Sequence, residues 1–190
     1  MRIAVSGRPG AGKSTLARAL AARLKLRFYS IGDMRRQIAR SRGLTIAQLN
    51  KLDESSFASD RYVDTFLKKL GRQRDNFVID SRLAFAFVPR AIKLFVDAAP
   101  RVRAARIFRQ RRVEEKLSST KAAMVALRAR ERSDRKRYAA LYGIDPYDKR
   151  QFDFVLDTTK LTRKQALAKT LAWLSKEKGK GKRIERRRRA

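Results

Sequence analysis

Residues Val5 to Thr15 read Val-Ser-Gly-Arg-Pro-Gly-Ala-Gly-Lys-Ser-Thr, and this stretch decides the fold. From Gly7 to Ser14 it fits the phosphate-loop pattern, which is a glycine, four residues and then Gly-Lys-Ser or Gly-Lys-Thr. An apolar run from Ile3 to Val5 precedes it, and an alanine- and leucine-rich stretch from Leu16 to Leu24 follows it. The order of strand, loop and helix is the context that this motif requires. The sequence therefore predicts a nucleotide-binding loop.

Each residue type in the loop has a chemical reason. Glycines let backbone amides approach phosphate oxygens, and the following helix adds the positive end of its dipole. We expect Lys13 to reach the β- and γ-phosphates and the Ser14 hydroxyl to hold magnesium. The predicted ATP-binding residues of the loop are Gly7, Arg8, Pro9, Gly10, Ala11, Gly12, Lys13, Ser14 and Thr15. The alternative is a flexible glycine turn that carries a lysine, but the fixed positions in this context favour nucleotide binding.

The composition excludes several classes of chemistry. The chain has 190 residues, of which 43% are hydrophobic, and this is enough for one domain with a substantial core. It contains no histidine and no cysteine, which excludes disulfides, thiolate nucleophiles, most zinc sites and the usual general base. Phosphoryl transfer fits, because it depends on positioning and charge neutralisation. With no long apolar run and no secretory leader, we expect a cytoplasmic protein without membrane contact.

The net charge is far larger than one nucleotide site requires. The chain has 49 Lys and Arg against 18 Asp and Glu, a net charge of +31, and such a field attracts polyanions such as RNA. A compositional property of the source organism is the alternative. Residues 176–189 contain nine basic and two acidic residues, so we expect a domain over 1–174 and a disordered tail over 175–190. That tail either contacts RNA or ribosomes nonspecifically or is merely solvated, and we expect a monomer.

Short apolar runs alternate with helical stretches along the rest of the chain. After the run before the loop, the predicted strands are Phe28-Tyr29, Asn76 to Asp80, Ile92 to Asp97 and Phe152 to Asp157. This alternation predicts an α/β fold with a five-stranded parallel sheet covered by helices on both faces. Thr45, and then Ser55 or Ser56, are predicted to begin helices, and Gly71 to end the second one.

Two further segments are placed to bind a second phosphate. A kinase that phosphorylates a monophosphate needs a cationic clamp for the acceptor, because two anions must be brought into line against their repulsion. Ser30 to Arg36 and Asp80-Ser81-Arg82 follow predicted strands and can supply that clamp.

On these residues the chain resembles nucleoside monophosphate kinases, and more narrowly the archaeal-type cytidylate kinases. The family's Ser-x-Gly-Asp-x-x-Arg motif matches substrate-binding positions Ser30, Gly32, Asp33 and Arg36. The resemblance implies that Arg36 binds the acceptor phosphate, with Arg35 as the alternative, and that Arg82 is the second acceptor-side arginine. It also implies that Asp80 holds magnesium through water, together with Ser14. The family usually has glycine where this chain has Ser81.

A third match lies further along the chain. Arg130, Asp134 and Arg137 are spaced by four and three, so they share one helix face. The family's Arg-Tyr-x-x-x-Tyr-Gly-Ile-Asp motif is similar to the segment from Arg137 to Asp145. The resemblance implies that the two arginines neutralise the transferring phosphoryl group and that Asp134 orients one of them or contacts the acceptor. The alternative is an exposed helix with ion pairs.

The resemblance also assigns two further parts of the chain and the overall reaction. A helical acceptor-binding insertion is expected at about 32–71, and a short lid at about 110–120. Five arginines are similar to those of the lid region: Arg103, Arg106, Arg109, Arg111 and Arg112. Of these, Arg106 is the predicted catalytic residue and Arg109 the predicted ATP ligand, and Thr158 and Thr159 are placed near the adenine. The implied reaction is phosphoryl transfer from ATP, with magnesium, to CMP or dCMP.

Two other functions remain open from the sequence. An adenylate kinase or another nucleoside monophosphate kinase shares the loop, the Ser-x-Gly-Asp opening and the carboxylate at the end of the third strand. An RNA- or ribosome-associated P-loop ATPase fits the overall charge and the basic tail.

Overall fold

Five short strands form one parallel sheet in the computed structural model, which describes residues 1–109 and 117–189. The strands are β1 (Arg2–Gly7), β2 (Arg27–Ser30), β3 (Phe77–Asp80), β4 (Ile92–Asp97) and β5 (Phe154–Asp157). Their spatial order is β2-β3-β1-β4-β5, and every neighbouring pair is parallel. The carboxyl ends of all five strands therefore meet at one edge, where open α/β sheets bind ligands. The predicted five-stranded parallel sheet is confirmed.

Eight helices and one 3₁₀ turn (Lys149–Gln151) connect and follow these strands in the described residues. The helices are α1 (Lys13–Arg23), α2 (Ile31–Ser41), α3 (Ile46–Ser56), α4 (Ala58–Gln73), α5 (Ala84–Phe87), α6 (Pro100–Arg109), α7 (Thr120–Tyr142) and α8 (Arg163–Arg189). None of them combines the length and apolarity needed to cross a membrane.

The side chains of β1 divide the core into two clusters. Ile3 and Val5 point to one face of the sheet, where they pack with residues of α1 and α8. Ala4 points to the other face, where Leu67 of α4 and Tyr138 of α7 complete a second cluster. Because alternate residues of a strand face opposite sides, the single run from Ile3 to Val5 serves both clusters. Helices therefore cover both faces, as predicted.

Local capping explains where two of the helices begin. The Ser30 hydroxyl accepts a hydrogen bond from the Asp33 amide at 3.2 Å and starts α2 directly after β2. Thr45 and Gln48 form a reciprocal capping box at the start of α3, which confirms Thr45 as the N-cap.

The next two predicted boundaries are wrong. Helix α4 begins after Phe57, whose left-handed backbone (φ 53°) turns the chain out of α3, and neither Ser55 nor Ser56 is its N-cap. Gly71 lies inside α4, where a Cβ would come within 3.0 Å of the Pro89 ring. The glycine therefore allows close packing of α4 on the segment after α5, and it does not end the helix.

The last helix extends beyond the predicted domain boundary at residue 174. Helix α8 continues to Arg189. Lysine, arginine and glutamate are good helix formers, and adding residues to an existing helix avoids the cost of nucleation. The packed part of the helix includes Leu174 in the core and Trp173, whose ring stacks on Phe154 at 4.8 Å between centroids. Most of the predicted lid, residues 110–116, lies outside the described residues.

Candidate active site

The loop between β1 and α1 requires glycine at two positions because other backbone passes very close. A Cβ on Gly7 would lie 2.1 Å from the carbonyl oxygen of Val96, and one on Gly10 would lie 2.7 Å from that of Arg103. Gly10 and Gly12 also have φ angles of +80° and +90°, in the region that favours glycine. The loop is thus packed against β4 and α6 on one side. Nothing lies within 4 Å of a Cβ at Gly12.

Lys13 and Asp80 meet beside this loop. The register of the sheet pairs Val5 with Asp80, which brings the end of β3 next to the start of α1. There the Lys13 ammonium forms an ion pair with the buried Asp80 carboxylate. Ser14, the next residue, lines the same cavity as Asp80. A hydroxyl and a carboxylate are oxygen donors of the kind that magnesium accepts alongside phosphate and water.

A cavity of about 600 Å³ opens at this edge of the sheet and brings together most of the predicted site. The predicted residues that line it are Arg8, Pro9, Gly10, Ala11, Gly12, Lys13, Ser14, Thr15, Gly32, Arg36, Asp80, Arg82, Arg106, Arg109 and Arg130. The predicted residues outside its lining are Gly7, Ser30, Asp33, Asp134 and Arg137. Gly7 and Ser30 shape the backbone, as described above, while the other three act through ion pairs.

On the loop side of the cavity, Arg106 joins the phosphate loop to the end of β5. Its guanidinium donates to the Thr158 hydroxyl at 2.9 Å and to the Thr158 carbonyl at 2.8 Å. The same hydroxyl donates to the Ala11 carbonyl of the loop at 2.8 Å. Arg106 and Arg109 both line the cavity, consistent with the shared face predicted from their spacing. Arg111 and Arg112 lie outside the described residues.

Arg103, another of the five arginines, is buried behind the loop. It donates to the Glu131 carboxylate at 2.5 Å and to the Pro9 carbonyl at 3.3 Å. Glu131 also accepts from Arg8 at 2.7 Å, so this one carboxylate connects α7 to the loop and to α6. Sequence reasoning missed Glu131, although it follows Arg130 directly, because nothing local pairs it with Arg8, 123 positions away, or with Arg103, 28 positions away.

Across the cavity, Arg36 and Arg82 come from two different elements. Arg36, on α2, forms an ion pair with Asp33 one turn earlier and is about one-fifth exposed. Partial burial raises the pKa of Asp33, but the hydrogen bonds from Arg36 and Ser30 outweigh it and hold that pKa below its usual value. Arg82 follows β3, and its Nε lies 2.7 Å from the Asp134 carboxylate. The two arginines predicted to bind the acceptor therefore line the same cavity as the phosphate loop.

Beneath them runs a buried series of alternating charges, which we call the ion-pair chain: Arg35, Asp60, Arg137, Asp134 and Arg82. Arg35 pairs with Asp60, and Arg137 bridges Asp60 at 2.8 Å and Asp134 at 2.9 Å. Asp134 then meets Arg82, and Arg35, Asp60 and Arg82 also line the cavity. Arg35 also binds Asp53 at 2.8 Å. Arg35 is therefore paired with carboxylates of α3 and α4, and both Arg35 and Arg36 line the cavity.

Asp134 and Arg137 lie outside the lining of the cavity, and each is about 1% exposed. Their spacing puts them on one face with Arg130, but α4 covers that face through Asp60, and of the three only Arg130 lines the cavity. Asp134 forms ion pairs with Arg137 and with Arg82.

At the Asp134 end of the ion-pair chain, the pKa shifts of Asp134 and Arg82 both favour the ionised forms. Burial raises the pKa of Asp134, but Arg82, Arg130 and Arg137 together outweigh it and lower that pKa below the usual value. Burial lowers the pKa of Arg82, but Asp134 outweighs it and raises that pKa further. Asp60 shows the opposite balance, because burial raises its pKa more than Arg35 and Arg137 lower it.

The strand order, the glycine loop and the arginines that face it define a P-loop kinase. The family model described as "Cytidylate kinase-like family" matches residues 2–160, and the chain belongs to this family. It is 40% identical over 162 residues to a cytidylate kinase of Haloquadratum walsbyi, covering 84% of this chain and 82% of that one. It is 34% identical over 163 residues to a cytidylate kinase of Sulfolobus acidocaldarius, covering 85% and 87%.

A solved structure supports the fold independently. Shikimate kinase from Acinetobacter baumannii in complex with shikimate superimposes with a TM-score of 0.61 at 19% identity. The alignment covers 93% of this chain and 94% of that one, so the likeness extends through the whole fold.

Proposed function

We propose that this protein transfers the γ-phosphoryl group of ATP to CMP, with dCMP as a second acceptor, and releases ADP and CDP. The observation that carries the proposal is that the phosphate loop and the acceptor-side pair Arg36 and Arg82 line one cavity. Membership of the cytidylate kinase-like family supports CMP as the acceptor.

The donor half is the loop from Gly7 to Thr15, with Arg106 and Arg109 beside it. Lys13 exchanges Asp80 for the β- and γ-phosphates of ATP. Ser14 and Asp80 fit magnesium, with Asp80 acting through water, since both present oxygen atoms to the cavity. When bound there, the ion would neutralise charge on the β- and γ-phosphates.

The acceptor half needs no general base. A phosphate monoester has a second pKa of about 6, so the attacking oxygen of CMP is already ionised at neutral pH. Arg36 and Arg82 hold that phosphate in line, and Arg130 neutralises the group in transfer. Residues of about 32–71 carry the acceptor. The absence of histidine from the chain is consistent with this mechanism.

One assay tests this function against its alternatives. The purified protein, ATP and magnesium are offered CMP, dCMP, UMP and AMP in turn, and nucleoside diphosphates are quantified by chromatography. We expect CDP as the fastest product. Faster ADP formation that depends on AMP would identify an adenylate kinase. ATP hydrolysis that responds to RNA and ignores every monophosphate would identify a P-loop ATPase.

We further propose that the basic end of α8 contacts RNA or ribosomes without sequence preference. The support is the excess of nine basic over two acidic residues in 176–189, which follows the packed part of the helix. In this proposal the enzyme works in the cytoplasm, because both of its substrates are nucleotides of that compartment. It works there as a monomer.

A further inference from the structure

The cavity is lined by apolar side chains as well as by the loop and the arginines, and among them are Ile31, Ile46, Val63 and Leu83. Two polar side chains line the same cavity, Asp64 on α4 and Asn50 on α3. Apolar side chains with a small number of polar groups are typical of a site that orients a ring.

Asp64 differs from its neighbour Asp60 in what its oxygens bind. Both oxygens of Asp60 are taken by arginines of the ion-pair chain. Asp64 lies one turn further along α4, is 7% exposed, and accepts a hydrogen bond from the Tyr142 hydroxyl at Oδ2. No other described residue donates to it, so Oδ1 remains an acceptor for a ligand. Burial raises the pKa of Asp64, so its ionised form gains from a further donor.

The orientation of the Asn50 amide follows from its partner. Its oxygen accepts from Arg35 Nη2 at 2.9 Å. Arginine can only donate, so the oxygen must face Arg35 and the amide NH₂ must point elsewhere. Asp64 therefore offers an acceptor to the cavity and Asn50 offers a donor, and the Arg35 and Asp60 pair lines the same cavity.

We propose that Asp64 and Asn50 select cytosine over uracil in the acceptor pocket. Asp64 accepts a hydrogen bond from the exocyclic N4 amino group, and Asn50 donates to the ring acceptor N3. Uracil carries a carbonyl oxygen where cytosine has the amino group and an N–H at N3, so it presents an acceptor to a carboxylate and a donor to an amide NH₂. Both mismatches leave buried groups unsatisfied. This inference rests on the proposed function, because it assumes a pyrimidine monophosphate as the acceptor.

The test compares kcat/KM for CMP and UMP in Asp64→Asn, which replaces the carboxylate by an amide of the same shape. We expect the CMP-to-UMP ratio to fall by about 10-fold or more, with the KM for ATP unchanged within about 2-fold. Asn50→Asp, which turns the donor into an acceptor, should lower the same ratio and carries the test if Asp64→Asn fails to fold. Asp75→Asn, an exposed carboxylate paired with Arg2, is the matched control and should leave the ratio unchanged.

Tyr142→Phe separates recognition from a purely structural role. It removes the hydrogen bond from the Tyr142 hydroxyl to Asp64 but keeps the carboxylate, so the preference for CMP should persist. If Tyr142→Phe and Asp64→Asn lower the ratio equally, or if Asp64→Asn and Asn50→Asp both leave it unchanged, the inference is overturned while the CMP kinase activity stands. A wild-type protein that phosphorylates AMP but not CMP would overturn the proposed function, and this inference with it.

Discussion

At the scale of single residues, Lys13 has two anionic partners. It contacts the Asp80 carboxylate, and we propose that it binds the phosphates of ATP. Replacing it by alanine removes a charge directed at the transition state, which lowers turnover by about 10² or more. Steady-state kinetics with ATP and CMP measure this loss. Thermal unfolding of the same variant checks that the fold persists, and near-normal turnover in a folded Lys13→Ala protein would refute the loop assignment.

Replacing Gly10 by alanine should cost more stability than replacing a glycine whose only special feature is a positive φ. Gly10→Ala incurs the left-handed strain of roughly 1–2 kcal/mol and also a clash with the Arg103 carbonyl. Gly43 has a φ of +65° and open space around it, so Gly43→Ala incurs the strain alone. Urea unfolding should show that Gly10→Ala loses more stability than Gly43→Ala. Equal losses would mean that the loop can move away from α6.

Contiguous site residues were predictable and distant pairings were not. The loop from Gly7 to Thr15 follows from its own spacing, because backbone amides and Lys13 act together over a few residues. The partners of Asp134 lie on β3 and α4 as well as on its own helix, and no local pattern encodes them. The helix face that was predicted to be catalytic therefore includes Asp134, which forms an ion pair with Arg82.

At the scale of elements, α4 and α7 are joined by buried charge. Asp134→Asn breaks two ion pairs of the ion-pair chain and leaves cations uncompensated, which costs about 3–5 kcal/mol at neutral pH. The direction in which this stabilisation changes with pH follows from the lowered pKa of Asp134. Its ionised form stabilises the fold above the unfolded-state pKa of about 3.9, and this contribution is lost as the pH falls below that value towards the folded-state pKa.

Chemical denaturation of wild type and Asp134→Asn at several pH values between 7 and 3 measures this contribution. The difference in unfolding free energy should be largest at neutral pH and should shrink as the medium becomes acidic. A difference that stays constant across this range would show that the charge of Asp134 is not what joins the two helices.

Elements with strong local signals were predicted, and those shaped by packing were not. Thr45 and Gln48 cap α3 through contacts within one turn, so the sequence alone indicates them. Gly71 carries the same local signal as a helix end, but tertiary contact with Pro89 determines its position inside α4. The short helix α5 has four residues, too few to show a periodic pattern.

At the scale of the whole molecule, the catalytic domain and the basic end of α8 are separable. Deleting Lys176 to Ala190 retains Trp173 and Leu174, which pack in the core, so kinase activity should be unchanged. RNA binding should weaken, and its salt dependence should fall by about 0.7 in log–log slope for each lost contact to a single-stranded phosphate. Filter binding at several salt concentrations and a parallel kinase assay measure the two effects. Loss of kinase activity on truncation would show that this segment belongs to the folded domain.

The ion-pair chain also constrains how this sequence can diverge. Together with Asp53, the chain balances three arginines against three aspartates, so a single replacement leaves one excess buried charge, whereas joint replacement of two neighbours by apolar groups is close to neutral. Relatives should therefore change Asp60 and Arg137 together, and intermediates with only one change should be rare. Exposed positions of α4 and α7 can drift one residue at a time, so the buried charges should covary where their surface neighbours vary independently.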